Sequence, residues 1–324
     1  MKRILLIATG GTIASKDNGN GLTPSIDVNI LLDYIPVIKQ MCHVTGISIM
    51  NIDSSNMNTA YIAAISECIM KNYNNYDGFV ITHGTDTCAY TAAALSYQLV
   101  NLSKPVILTG SQLPIDAEGT DAVINLTHAL IYSCEDISGV FLAFSGKLIK
   151  GTCAKKIKTK SFDAFESINY PVIATIQNST VIYNNYTSKA VRNTGKKFHI
   201  ETDMCTDIAV ISLFPGMDLR IFDNINPSCR GIIIKGYGIG GMPDNITEYI
   251  HRLTAGNICV VVTTQCLYEG VRLDIYEVGR NLAKENVING KSMTLENLTM
   301  KLMWSLAHFN NMTDVKDFME KELY

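Results

Sequence analysis

Residues 4–12 read Ile-Leu-Leu-Ile-Ala-Thr-Gly-Gly-Thr, a short apolar run that ends in two glycines and a threonine. A continuous apolar run of this length, closed by glycine, is typical of a strand that is buried on both faces. The two glycines permit a sharp turn immediately after the strand. We therefore predict a buried strand at Ile4–Ala8 that presents the hydroxyl of Thr12 at its carboxyl end.

The alternation of short strands and helices continues through the first half of the chain. Helices are predicted where apolar residues recur every three or four positions, and strands where short β-branched runs occur. The predicted strands are Ile4–Ala8, Ile47–Ile52, Gly78–Thr82, Val106–Thr109 and Gly139–Phe144, and the predicted helices are Asn29–Gln40, Thr59–Tyr73, Tyr90–Leu99 and one that begins at Asp121. This order favours an α/β fold with a parallel sheet covered by helices.

The pattern weakens after Gly151, and residues 184–206 are polar with mixed charges. We predict an N-terminal catalytic α/β domain at 1–183, a linker at 184–206 and a smaller α/β domain at 207–324. In the last domain the predicted strands are Ile208–Leu213, Gly231–Ile234 and Ile258–Thr263, and the predicted helices are Ile246–Leu253, Thr294–Phe309 and Asp314–Leu323.

The composition favours a small-molecule partner. The 324 residues contain 27 Lys and Arg against 30 Asp and Glu, which gives a formal net charge of -3. This balance provides no basic face for nucleic acid and no polybasic patch for a membrane. We expect the partner to be a small molecule or a second copy of the chain.

The sequence has no pattern typical of secreted, membrane-spanning or metal-binding proteins. The first apolar run ends at Ala8, too early for a signal peptide, and the run Ile258–Val262 is far below the roughly 20 residues that span a bilayer. The nine cysteines include no Cys-x-x-Cys pair, and the six histidines show no zinc-type spacing. We expect a cytoplasmic protein without metal or cofactor.

Polar segments follow the five predicted strands of the first domain. They are Thr9–Thr12, Asp53–Ser55, His83–Thr87, Gly110–Gln112 and Ser145–Lys147. Ligands bind at the carboxyl ends of the strands in an open parallel sheet. These segments therefore predict one cleft lined with hydroxyls and backbone amides, suited to a small polar substrate.

The glycine pair before Thr12 is not a phosphate-binding loop. A dinucleotide loop requires a third glycine at a fixed spacing, and a P-loop requires Gly-Lys followed by Ser or Thr; neither is present. Two interpretations stay open, a plain tight turn and a turn that presents Thr12 as a nucleophile. A threonine hydroxyl needs a neighbouring base before it can attack.

Each candidate base also has a structural interpretation. His83 is either a base or a strand-end histidine bonded to backbone, and Asp86 is a charged member of the site, the N-cap of the next helix, or both. The lysines at 155, 156, 158 and 160 form either a solvated face or a group from which one lysine, with a lowered pKa, enters the cleft. Spacing alone does not choose between these roles.

Two longer stretches resemble the signatures of the bacterial-type asparaginases. Residues 7–14 resemble the first signature and residues 77–87 the second. The likeness continues through residues 104–106, 109–112, 162–167, 236–238 and 263–266. Within the family, the sequence most resembles the cytoplasmic type I branch. The resemblance implies hydrolysis of L-asparagine to L-aspartate and ammonia through a threonine acyl-enzyme, without a cofactor.

The resemblance also implies roles for individual residues. Thr12 would be the nucleophile, and Thr85, Asp86 and Lys156 would handle the proton. Asp53, Ser54 and Ser55 would hold the α-carboxylate of the substrate, and Asp86 would also meet its ammonium group. Under this resemblance His83 is not the base.

One departure from the family concerns the loop after the nucleophile. That loop usually carries a tyrosine that bonds the threonine, whereas the matching stretch 18–24 has Leu22 in its place. Activation would then depend on Thr85 and Lys156, or on a substitute such as Tyr34 or a group from a partner subunit. The loop, rich in Gly and Asn, is still expected to act as a lid.

The resemblance carries further expectations about regulation and assembly. Type I enzymes can bind asparagine at a second, regulatory site, which would fall at Lys235, Thr264, Gln265 and Cys266. In other members of the family a small hydroxyl residue helps to couple that site to the active site, and Lys155 stands at its position here. A homodimer or homotetramer is implied.

The alternative functions are a glutaminase-weighted amidohydrolase, including an amidotransferase subunit, and a non-catalytic amino-acid-binding protein. The amidotransferase subunit usually has an extra N-terminal domain, whereas the first motif here begins at residue 9.

Overall fold

A computed structural model describes residues 1–17, 22–24, 28–185, 195–275 and 277–321 of the chain. The chain divides into two units, Met1–Thr202 and Asp203–Tyr324. This division falls inside the predicted linker 184–206, and part of that segment forms a strand of the first unit. The domain limits 1–183, 184–206 and 207–324 therefore stay a prediction.

The elements of the first unit alternate much as the sequence predicts. Its described strands are β1 (Lys2–Gly10), β2 (Ser15–Asp17), β3 (Leu22–Pro24), β4 (Cys42–Ile52), β5 (Gly78–Thr82), β6 (Leu99–Val100), β7 (Pro105–Thr109), β8 (Gly139–Phe144), β9 (Lys147–Lys150), β10 (Ala154–Lys156), β11 (Phe165–Ser167), β12 (Ala174–Gln177), β13 (Thr180–Tyr183) and β14 (His199–Ile200). Its described α-helices are α1 (Val28–Asp33), α2 (Thr59–Asn72), α3 (Cys88–Gln98) and α4 (Ala122–Ser133), and 3-10 turns span Thr12–Ala14, Pro36–Gln40, Ser54–Asn56 and Gly151–Cys153.

The main sheet has eight strands in the order β13-β12-β9-β8-β7-β5-β1-β4. The five strands from β8 to β4 are parallel, and β9, β12 and β13 extend the sheet in antiparallel fashion. Every residue of β5 and β7 is buried, which explains why these runs are apolar without alternation. The predicted parallel sheet covered by helices is confirmed.

The order of the strands creates a crevice at the carboxyl end of β1. From β1 the chain passes to β4 on one side and then crosses to β5 on the other. Ligands in open α/β sheets bind where the strand order reverses in this way. The segments that follow β1, β4 and β5 therefore meet at one edge of the sheet.

The predicted helix Asn29–Gln40 is wrong as a single element. Helix α1 ends at Asp33, and a separate 3-10 turn begins at Pro36. Proline has no N–H to donate to the preceding turn and its ring clashes with it, so the α-helix cannot continue. The apolar positions Leu31, Ile35 and Ile38 are nevertheless all buried, as their spacing indicates.

The second unit is a smaller α/β layer. Its described strands are β15 (Ile208–Ser212), β16 (Gly231–Gly236), β17 (Cys259–Thr264) and β18 (Ile288–Asn289), its described α-helices are α5 (Ile246–Ala255), α6 (Glu277–Lys284), α7 (Leu295–His308) and α8 (Met312–Glu320), and a 3-10 turn spans Leu219–Asn224. The strands are parallel and lie in chain order. The predicted helix Asp314–Leu323 begins two residues earlier, at Met312, and its last predicted residues lie outside the described part of the chain.

Among the described residues, no helix has the length and apolarity that a bilayer crossing requires.

A buried tyrosine connects α4 to the antiparallel side of the main sheet. The hydroxyl of Tyr132 donates to the carbonyl of Gly146 at 2.8 Å and lies 3.3 Å from the carbonyl of Ala174. We expect Tyr132→Phe to lower the free energy of unfolding by about 0.5–1.5 kcal/mol, because it removes the bond from this hydroxyl to the Gly146 carbonyl, which keeps its bond from the Ile176 N–H. Denaturant unfolding measures this, with Tyr61→Phe on the exposed side of α2 as the control. Equal stability of the two variants would contradict the assignment.

Candidate active site

The ends of β1, β4 and β5 enclose a polar cavity of about 70 Å³, enough for several water-sized groups. The residues that line it are Gly11, Thr12, Ser15, Asp53, Ser54, Gly84, Thr85 and Asp86. Three of the five polar segments predicted from the sequence therefore meet there. The segments Gly110–Gln112 and Ser145–Lys147 do not line this cavity, although Gln112 contacts one of its wall residues.

Thr12 lies on a tight turn that two glycines make possible. Gly10 and Gly11 have φ angles of +100° and +77°, a region that side chains disfavour. A Cβ on Gly11 would also stand 2.4 Å from the backbone nitrogen of Gly84. Ser15 closes the turn, because its N–H donates to the Thr12 carbonyl and its hydroxyl donates to the Gly11 carbonyl at 2.9 Å. The turn is tight, and it also brings Thr12 to the cavity wall.

Lys156 connects the two polar residues that follow β5. Its ammonium donates to the Thr85 hydroxyl at 2.8 Å and to the Asp86 carboxylate at 2.6 Å. The lysine side chain is 17% exposed, against 63% for the aspartate, which lines the cavity. Thr85 accepts from Lys156 and directs its own proton to Oε1 of Gln112, 3.3 Å away. Lys158, from the same basic cluster, pairs instead with Asp163.

The segment after β4 forms the opposite wall. Asp53 begins a 3-10 turn and accepts a hydrogen bond from the Ser55 N–H at 2.7 Å. Ser54 is 4% exposed, and its carbonyl accepts from the Thr87 hydroxyl at 2.8 Å. Ser55 is exposed and does not line the cavity. Asp53 and Ser54 are therefore the members of this segment that line the cavity wall.

The structure distinguishes the alternatives for Asp86 and His83. The N-cap position of α3 is Thr87, and the Asp86 carboxylate bonds Lys156 instead of the helix. His83 is fully buried and bonds the Gly84 carbonyl through Nδ1 and the Thr91 hydroxyl through Nε2. Burial lowers the pKa of His83 from 6.5 to about 4, so its ring is neutral at pH 7.

Several residues of this region were not predicted from the sequence. They are Ser15, Asp121 and Asn125. Asp121 accepts from the N–H groups of Gln112 and Leu113, at 3.0 and 3.2 Å, and so fixes the loop that carries the Gln112 side chain. Asn125 bonds Asp121, the Gly110 carbonyl and the Ser145 N–H. The available signal was an acid and an amide four residues apart at the start of α4, which lie on one helix face.

The residues suggested for a regulatory site lie together in the second unit. Lys235 and Thr264 stand at the carboxyl ends of β16 and β17. The amide of Gln265 donates to the carbonyls of Leu213 and Lys235, and the N–H of Cys266 donates to the Thr264 hydroxyl. These bonds hold the loops at this edge of the second sheet.

The expected lid is described only in part. Residues 18–21 lie outside the described residues, while Leu22–Pro24 pairs with Ser15–Asp17 as an antiparallel ribbon. Tyr34, suggested as a substitute for the missing tyrosine, is 40% exposed and does not line the cavity. The described residues include no group of three His, Cys, Asp or Glu side chains that could hold a metal ion.

Comparison with known proteins identifies relatives over the whole chain. Residues 3–189 match the family model for the asparaginase N-terminal domain, and residues 207–319 match that for the glutaminase/asparaginase C-terminal domain. The L-asparaginase of Thermococcus kodakarensis is 35% identical over 99% of this chain and 98% of its own length. A glutamyl-tRNA(Gln) amidotransferase subunit from Methanosphaera stadtmanae is 32% identical over 99% of this chain and 76% of its own length.

Solved structures agree with this relationship. The thermostable L-asparaginase from Thermococcus kodakarensis superposes with a TM-score of 0.92 at 33% identity, covering 99% of this chain and 97% of that one. L-asparaginase I from Vibrio cholerae superposes with a TM-score of 0.91 at 31% identity, covering 99% of this chain and 98% of that one.

The depressed pKa of His83 predicts a pH dependence of stability. Between pH 6.5 and about 4 the unfolded chain binds a proton at His83 that the folded chain does not, so stability is complete above pH 6.5 and falls as the pH falls. At 1.36 kcal/mol per pKa unit the loss is about 3 kcal/mol. We expect His83→Asn to flatten the pH dependence of unfolding in this window, whereas His43→Asn, at an exposed position, leaves it unchanged. An unchanged slope in His83→Asn would contradict the burial effect.

Proposed function

The chain belongs to the asparaginase family, and we propose that it hydrolyses the side-chain amide of L-asparagine to L-aspartate and ammonia, with Thr12 as the nucleophile. The observation that carries this proposal is the contact of Lys156 with both Thr85 and Asp86 at the wall that Thr12 shares. A threonine becomes a useful nucleophile only beside a group that takes its proton. Thr12, Thr85 and Asp86 line the same cavity, and Lys156 contacts the last two, which supports this proposal.

Charge complementarity supports an α-amino acid as the substrate. Such a molecule carries an ammonium and a carboxylate, which require an anionic contact and neutral donors respectively. We propose that Asp86 receives the ammonium group and that the segment Asp53–Ser55 receives the α-carboxylate, chiefly through the Ser54 hydroxyl. The size of the cavity, about 70 Å³, agrees with a small polar ligand.

In the first step the Thr12 oxygen attacks the amide carbon. The carbonyl π electrons move to oxygen, and two backbone N–H groups are available to stabilise that charge: those of Thr12 and Thr85 have no acceptor among the described residues. The carbon–nitrogen bond then breaks, and the Thr12 proton leaves with the nitrogen as ammonia. We propose that Lys156 gives one proton of its ammonium to the departing nitrogen, while the Thr12 proton, passed through the Thr85 hydroxyl, replaces it on the lysine.

In the second step water attacks the ester that links Thr12 to the aspartyl group. The same donors stabilise the oxyanion, the ester bond breaks and the proton of water returns to the Thr12 oxygen. The product leaves as L-aspartate. We propose that Thr85 and Lys156 suffice for this proton traffic without a loop tyrosine, since Lys156 contacts Thr85 directly.

Two alternative functions follow from the relatives and from the loop. The likeness to an amidotransferase subunit favours, as a second candidate, an amidohydrolase of the same family that acts in amide transfer or prefers glutamine. The replacement of the loop tyrosine by Leu22 leaves a non-catalytic amino-acid-binding protein as the third. Ammonia release from L-asparagine and L-glutamine separates these candidates, and release from neither would overturn the enzyme assignment.

We also propose a cytoplasmic location, a homodimeric or homotetrameric assembly and a regulatory asparagine site at Lys235, Thr264, Gln265 and Cys266. All nine cysteines are free thiols, which agrees with a reducing compartment. A sigmoidal dependence of rate on asparagine concentration would support the regulatory site, and the particle mass in solution tests the assembly.

Replacement of the nucleophile provides the direct test of mechanism. We expect Thr12→Ala to lower kcat by more than about 1000-fold, because no attacking oxygen remains. Thr12→Ser keeps an attacking hydroxyl and should retain measurable turnover. Ammonia release measures both, with circular dichroism to establish folding. Near-normal turnover in Thr12→Ala would identify a different nucleophile.

Replacement of Lys156 tests the proton path. We expect Lys156→Met to lower kcat by about 100- to 10,000-fold, the usual range for loss of a proton-transfer group. The matched control is Lys158→Met, which removes a lysine that pairs with Asp163 away from Thr85 and should stay within about twofold of the wild type. A mild effect of Lys156→Met would exclude this residue from the proton path.

A further inference from the structure

His83 is a buried histidine that the proposed reaction does not use. It is 0% exposed, and its ring bonds two partners, the Gly84 carbonyl at 2.7 Å and the Thr91 hydroxyl at 2.9 Å. Thr91 lies on α3 and is itself fully buried. The ring therefore connects the backbone that follows β5 to a rigid helix behind it.

The first of these bonds fixes the tautomer of the ring. A carbonyl oxygen can only accept, so Nδ1 of His83 must carry the proton and donate it to Gly84. Nε2 is then the acceptor and takes the proton of the Thr91 hydroxyl. Because burial keeps the pKa of this ring well below 7, the arrangement is that of the neutral imidazole at physiological pH.

The same bond fixes the direction of the next N–H group. The peptide between Gly84 and Thr85 is trans, so its carbonyl and its N–H point in opposite directions. The carbonyl points to the buried ring of His83, and the N–H of Thr85 therefore points away from that ring. Gly84 and Thr85 both line the cavity. In the described part of the chain this N–H has no acceptor.

No other side-chain hydrogen bond in the described residues holds this peptide. The N–H of His83 is fixed by the Thr109 carbonyl at 2.8 Å, and the His83 carbonyl lies so near Gly110 that a Cβ there would stand 2.3 Å from it. The Gly84 carbonyl accepts from the His83 ring and also closes the turn over residues 85–87. Gly84 has no side chain to restrict its backbone, so the ring adds a bond that limits rotation of this peptide.

We propose that His83 is a positioning residue that orients the Gly84–Thr85 peptide, so that the Thr85 N–H faces the cavity as a donor to the oxyanion. This role rests on the proposed amide hydrolysis. His83 touches neither the substrate nor the reacting atoms. It acts by holding a donor in place before the charge develops.

Two substitutions separate the two bonds of the ring. In asparagine the amide nitrogen is attached to Cγ, as Nδ1 is in histidine, so His83→Asn keeps a donor near Gly84. In glutamine the amide is one carbon further out, so His83→Gln reaches Thr91 and loses the donor to Gly84. We expect His83→Gln to lower kcat for L-asparagine about 10- to 100-fold with KM changed less than about threefold, and His83→Asn to stay within about fivefold of the wild type.

Thr91→Val is the matched control for stability. It removes the partner of Nε2 and leaves the bond from Nδ1 to Gly84 intact, so we expect a lower melting temperature with kcat within about twofold of the wild type. If kcat instead falls with melting temperature across all three variants, His83 is only a structural residue and the proposal is overturned. Equal kcat in His83→Asn and His83→Gln also overturns it.

A measurement on the wild type keeps the proposal testable should His83→Gln fail to fold. Nitrogen-15 NMR of the histidine rings at pH 7 should show His83 with its proton on Nδ1, and a proton on Nε2 would overturn the proposal. Ammonia release by the wild type distinguishes the two levels of inference. An inactive wild type overturns the proposed function and the role of His83 with it, whereas an active wild type with equal variants overturns the role of His83 alone.

Discussion

The close approach of Gly11 to Gly84 is the contact on which the site depends. A Cβ on Gly11 would lie 2.4 Å from the nitrogen of Gly84, and a Cβ on Gly84 would lie 2.5 Å from the hydroxyl oxygen of Ser54. Gly84 does not have a positive φ, so a side chain is excluded there by space and not by backbone conformation. Two missing side chains thus let the segments after β1, β4 and β5 close into one wall, and hydrogen bonds such as that from Thr87 to Ser54 hold them there.

The fold and the first half of the site were predictable because they depend on local pattern. Apolar runs without alternation predict buried parallel strands, and parallel strands bring their carboxyl ends to one edge. The prediction of one helix over residues 29–40 was wrong because the helical repeat of apolar residues was extended across Pro36. The apolar positions were nevertheless correctly predicted to be buried. A spacing rule identifies a buried face more reliably than it identifies a continuous helix.

The rest of the site was not predictable, because it depends on register and on contacts between distant loops. Lys155 and Lys156 are neighbours on β10, and successive side chains on a strand point to opposite faces. Which of them faces Thr85 depends on the pairing of β10 with β11, where Lys156 lies opposite Phe165. The bond from Thr85 to Gln112 and the support of that loop by Asp121 join segments that no local pattern connects.

In the proposed reaction the site has two chemical tasks, to stabilise the oxyanion and to transfer protons, and different groups perform them. Charge at the oxyanion would be met by backbone N–H groups, whose directions are set by the glycine turn before Thr12 and by the neutral ring of His83. Protons would be handled by Lys156, which lies nearer the solvent and pairs with Asp86. A buried cationic ring in place of neutral His83 would have no carboxylate partner among the described residues, since its only bonds there are to a carbonyl and a hydroxyl. Neutrality at position 83 is therefore a consequence of burial without a carboxylate partner, whereas the Lys156 ammonium has the Asp86 carboxylate beside it.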